Sequence, residues 1–154
     1  MLAILAALAL TSPFAAFEGQ WDCSGKMARS GKPISSMIDM ATDPVSGIFI
    51  VRHDDRPPMS YHSLETWTLD PLDRSVQAAV TDLQSGLRVF RSPLPTEGQF
   101  VFSRSAQGLV IEEFRYSLKS SEALQVDWSI SRSGAALALG DSLSCARVRQ
   151  GHRS

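Results

Sequence analysis

Cysteine is scarce in this chain: two in 154 residues, Cys23 and Cys145. There is no Cys-x-x-Cys pair and no His/Cys grouping at zinc spacing, which excludes thioredoxin-type exchange and a zinc-built scaffold. Charge of one sign is also missing. Fifteen Lys and Arg stand against sixteen Asp and Glu, interspersed, for a net charge of −1. Such a balance points to neither nucleic acid nor an anionic membrane as a partner. The local exception is RVRQGHR at 147–153, which reads as a solvated end, with 150–154 a disordered tail. Catalytic signatures are absent as well: no GxSxG elbow, no HExxH, no Gly-rich phosphate loop and no dinucleotide fingerprint. The chain is therefore expected not to be an enzyme and to carry no cofactor or metal.

Long hydrophobic runs are lacking except at the start. MLAILAALALTSPFAAF has no charged side chain, yet its Leu/Ala/Ile stretch at 2–10 is too short to cross a bilayer comfortably. That length suits the apolar region of a signal peptide, and Ala15 and Ala16 offer small residues at a cleavage point. The reading is a signal peptide over 1–16 and one domain over 17–149, exported to the periplasm or secreted, with no stable membrane insertion after cleavage. An uncleaved anchor is the other reading of this run. Cys23 follows Gln20, Trp21 and Asp22, which is not the setting of a lipidated cysteine.

What is present is turn chemistry at short intervals. TDPVSG, HDDRPP, LDPLDR, LQSG, SPLPTEG, SAQG, KSSE and SRSG break the chain every eight to twelve residues or so. Between them lie short runs rich in branched and aromatic side chains, the pattern of an all-β sandwich or barrel. ALQVDWSIS alternates strictly, with Leu124, Val126, Trp128 and Ile130 on one face. About ten strands are expected, with ALALG and DSLSCARV as separate runs, and no long amphipathic helix.

In an oxidising compartment the two cysteines would pair, against the alternative of two free buried thiols. They are 122 positions apart, so a bond between them closes nearly the whole domain and brings its first and last strands together. A loop of that length gives an upper estimate of about 5 kcal/mol of stabilisation. In an even-stranded up-and-down sheet, joining those strands closes an edgeless antiparallel barrel. The barrel is favoured, and a sandwich remains the alternative.

Gly19-Gln20-Trp21 opening an all-β meander resembles the lipocalin-like (calycin) superfamily, and Gly-x-Trp-x-Cys with a late cysteine is similar to its bacterial exported domains. The resemblance implies a lipocalin-like barrel in which Trp21 plugs one end and Arg147 packs across it as a cation-π partner. Thr81-Asp82-Leu83 is similar to the Thr-Asp-Tyr turn of that family, with Leu83 in place of the aromatic. Related haem-binding barrels of the nitrobindin type carry a late His ligand. Here DSLSCARV has none and His152 lies beyond it, so haem is not expected.

The densest polar cluster is VRHDDRPPMSYH, where His53, Asp54, Asp55 and His62 have the chemistry of a metal ligand or base. The plainer reading of HDDRPP is a hairpin loop. Within a strand, Asp54 and Asp55 would face opposite sides. In LVIEEFRYSL, Glu112 shares a face with Val110, Phe114, Tyr116 and Leu118. A carboxylate there needs a partner, either Arg52, Arg88 or another inward Arg, or else a ligand. Trp67, Glu112, Phe114, Tyr116, Val126 and Trp128 form the candidate ligand cavity. The expected function is binding of a small, largely apolar ligand inside the barrel without covalent chemistry. The alternative is a solid-cored structural or protein-interaction module, whose protein partner the residues do not name.

Overall fold

The computed structural model describes residues 12–149; the apolar run up to residue 11 and the expected tail at 150–154 lie outside them. A single 3₁₀ turn, Ala15–Phe17, leads into ten strands: β1 (Gly19–Met27), β2 (Pro33–Thr42), β3 (Phe49–Asp55), β4 (His62–Leu69), β5 (Val76–Asp82), β6 (Gly86–Ser92), β7 (Gln99–Ala106), β8 (Leu109–Ser120), β9 (Ala123–Ile130) and β10 (Ala138–Arg147). Each strand pairs antiparallel with its chain neighbours, and β10 pairs with β1, so the sheet is a closed up-and-down barrel. Closure leaves no unpaired edge.

The seam carries the disulfide. Cys23 and Cys145 face each other directly in the β1/β10 ladder and are bonded, with Cα atoms 4.0 Å apart. Val148 N donates to Gln20 O, and the alternation of an antiparallel ladder then makes Cys23/Cys145 a non-hydrogen-bonded pair, where backbones approach most closely. Both side chains point inward and are buried. Two positions later Gly25 is required by the same closeness: a Cβ there would lie 1.9 Å from the Ser142 carbonyl oxygen.

ALALG and DSLSCARV, expected as separate strands, form one, β10, with a register shift between Leu139 and Asp141. Gly140 makes this possible, because a Cβ on it would sit 2.3 Å from the Trp128 ring. The bulge returns Asp141, Leu143 and Cys145 to the inner face. HDDRPP is not a loop as a whole: His53, Asp54 and Asp55 continue β3, since His53 and Asp55 extend the inward series of Phe49 and Val51. Pairing continues to Asp55 opposite Ser36. The weakest ladder is β6/β7, with the single register pair Arg91/Ser103.

The inward residues form one core cluster that reaches back to Phe14, three residues before the expected start of the domain at 17. Phe14 stacks on Phe49 with centroids 4.9 Å apart.

Candidate functional site

The barrel has two unlike ends. At the end where β1 begins and β10 finishes, Trp21 is fully buried, its indole N–H donating to Phe17 O at 2.9 Å. The Arg147 guanidinium carbon lies 4.1 Å from the Trp21 ring centroid. Its nitrogens donate to the carbonyls of Glu18, Ala16 and Ser121. One side chain thus caps the indole and ties the 3₁₀ turn to the last strand. Behind it Trp67 is surrounded by rings: Phe49, Phe100, Phe102 and Tyr116 lie 4.6 to 5.3 Å away, centroid to centroid. These are the offset and edge-on contacts aromatic side chains favour. The buried carboxylate of this region, Glu65, accepts from Trp67 Nε1 at 2.9 Å and Tyr116 Oη at 3.2 Å. Burial raises its pKa.

At the other end the barrel holds a cavity of about 270 Å³. Its apolar wall includes Met27, Met59, Phe114, Val126, Trp128 and Leu143. Its polar wall is formed by His53, Asp55, Tyr61, Arg88 and Asp141, with Gln84 and Ser85 at the β5/β6 turn. The strand period explains the placement. Inward positions of β1, β3, β8, β9 and β10 alternate down to this end, and Arg88 enters from the first turn of β6.

Arg88 organises the polar wall. It donates to Asp82 at 2.6 Å, to Tyr61 Oη at 3.3 Å, and to Glu112. Glu112 in turn accepts from Arg104 Nη2 at 2.9 Å and Trp128 Nε1 at 2.9 Å. Asp82 also accepts from the backbone N–H groups of Gln84 and Ser85, at 2.8 and 2.6 Å. Burial would raise the Asp82 pKa, but these donors and Arg88 outweigh it and hold the group below its usual value. The Arg88 side chain is only 10% exposed, and among the described residues its Nε has no hydrogen-bond partner. On the opposite strand Asp55 accepts from Ser36 Oγ at 2.5 Å and pairs with His53 Nε2 at 3.1 Å. Burial opposes ionisation of Asp55, yet the His53 and Ser36 contacts bring its pKa below normal. Asp141 differs. Among the described residues its carboxylate has no hydrogen-bond donor, and burial raises its pKa to about 6.

Of the six residues expected to line a cavity, Phe114, Val126 and Trp128 do so. Trp67 and Tyr116 do not, a correction: they fill the aromatic end, where ring packing closes the space. Glu112 lies buried beneath the wall as the joint partner of Arg88 and Arg104, whereas Arg52 is exposed. Asp54 and Asp55 face opposite sides; Asp54 pairs outside the barrel with His62 at 2.9 Å. Among the described residues no three His, Cys, Asp or Glu side chains converge as a metal site. His53, Asp55, Asp141 and Tyr61 belong to the cavity without having been expected there. The signal for the first two was the unbroken period Phe49, Val51, His53, Asp55.

No family model matches the chain, and no curated protein matches it. Among solved structures a de novo designed fluorescence-activating β-barrel is similar at 11% identity and a TM-score of 0.43, over 87% of this chain and 95% of that one. That likeness carries no functional weight here.

Proposed function

We propose that the open end of the barrel binds a small molecule with an apolar body and a polar edge, without covalent chemistry, in the manner of an exported lipocalin-like carrier. The observation that carries this reading is the cavity itself. Half the barrel is packed solid by rings, yet the other half keeps about 270 Å³ open between an apolar wall and fixed polar groups. Apolar lining with a few convergent polar groups is the usual makeup of a small-ligand site. Export fits the buried disulfide, which forms and persists in oxidising compartments.

The methionines supply the test. Met27 and Met59 line the cavity, whereas Met40 is buried in the core outside it. With methyl-labelled methionine, titration with 2-phenylethanol is expected to move the Met27 and Met59 signals and leave Met40 in place. Unmoved signals at saturating probe, or equal movement of all three, would overturn the reading.

A second reading, recognition of a protein partner through the outer wall, draws on a different observation. Leu64 of β4 and Leu87 of β6 both sit opposite Thr81 of β5 and are exposed, Leu87 by 67%. Self-association or partner binding lost on Leu87→Glu, with the methionine signals unmoved by the probe, would favour it.

A further inference from the structure

Resting on the binding reading above, we propose that the ligand is a small amine, its ammonium group held against Asp141 and its apolar body against Trp128 and Phe114. The polar wall is richer in negative than in positive charge. Asp55, Asp82, Glu112 and Asp141 stand at or just behind it, against Arg88 and Arg104. Three of those four carboxylates are already engaged: Asp55 by Ser36 and His53, Asp82 by Arg88 and two backbone N–H groups, Glu112 by two arginines and an indole.

Asp141 is the one left over. It faces the cavity from β10, in register with Trp128 of β9 and Met27 of β1. The titratable groups acting on it are His53 and Asp55 from β3 and Asp127 from β9, with Arg88 of β6 on the same cavity wall. The two aspartates repel further negative charge. An anionic ligand would therefore meet an unneutralised carboxylate, and Arg88 already spends its terminal nitrogens on Asp82, Glu112 and Tyr61. A cation instead gains a counter-charge and the face of an aromatic wall. The cavity volume suits a ligand of roughly ten non-hydrogen atoms.

The elevated Asp141 pKa supports the assignment and sets its pH dependence. Binding an ammonium requires the ionised carboxylate, so affinity is half its full value at about 6, rises to full above it and falls as pH drops below it.

The experiment compares 2-phenylethylamine, 2-phenylethanol and phenylacetate by the Met27 and Met59 methyl signals at pH 7.5. The amine is expected to bind at least about tenfold more tightly than the alcohol, with phenylacetate weakest. Asp141→Asn is expected to abolish the amine's advantage, bringing it to the level of the alcohol in the same variant. Should that variant fail to fold, the wild-type pH series decides: the amine's advantage is expected to shrink about tenfold from pH 7.5 to 5. His53 faces the same space, and the same series on His53→Gln, which needs no Asp141 variant, separates the two groups. Alcohol or acid binding as tightly as the amine would overturn the amine assignment and leave the cavity reading standing. No movement with any of the three probes would remove both.

Discussion

The two halves of the barrel are built from the same strands and the same inward alternation, yet they use it in opposite ways. Around Trp67 most inward positions are spent on rings and aliphatics, with Glu65 satisfied by the Trp67 and Tyr116 donors. Around Arg88 one side of the interior carries charge, and space is left open against an apolar wall. Rings fill a tapering interior because they are large, rigid and indifferent to water. Ion pairs hold their partners at fixed separations and cannot collapse into a void without leaving a charge uncompensated. Here a carboxylate–guanidinium network forms one wall of the open half.

The largest expected effect separates the halves by packing. Trp67→Ala should cost about 3–5 kcal/mol, as removal of a fully buried aromatic does. Trp128→Ala, on the cavity wall, should cost no more than about 2 kcal/mol, because one side of its ring faces open space. Denaturant midpoints measure both, and equal losses would erase the distinction. Next comes the charge network. Glu112→Gln leaves Arg88 and Arg104 short of a shared counter-charge, with Asp82 still present, and should cost about 2–3 kcal/mol. A neutral outcome would mean that the network does not hold the open half.

The smallest effect sharpens the comparison through pH. The folded-state pKa of Asp141 is about 6 against an ordinary value of 3.8, so the folded barrel binds more protons between these values. Stability from this group is therefore lost as pH rises from about 4 to 6 and stays low above. Asp141→Asn should raise stability at pH 8 by about 1–2 kcal/mol, after discount for partial exposure, and leave it unchanged at pH 3.5. Thermal unfolding at the two pH values checks it, and a variant equally stabilised at both would rule out ionisation as the cause.

Much of the fold was legible before the structure. Turn residues at short spacing and period-two runs gave ten strands, and two distant cysteines gave the seam, because these signals are local or rest on one covalent bond. Glu112 was legible as a carboxylate in need of an arginine, since an inward charge on an apolar face stands out. Trp67 and Tyr116 were not distinguishable from Phe114 and Trp128. All four are inward aromatic residues, and alternation states the face but not the depth along the barrel axis. Gly140 hid the unity of β10, because a glycine that ends a strand and one that admits an indole look alike in one dimension.

The amino-acid order by itself determined the strand alternation and the inward set, since each follows from neighbours a few residues apart. It determined the pair of atoms that seals the seam for a different reason: only two thiols exist. The tertiary structure alone decided which inward residues share a level. That depends on the stagger of ten strands around a closed ring, where Arg88 of β6 meets Glu112 of β8 and Asp141 of β10 reaches a cavity also lined by His53 of β3. Register accumulates through every ladder at once, and no local stretch of chain contains it.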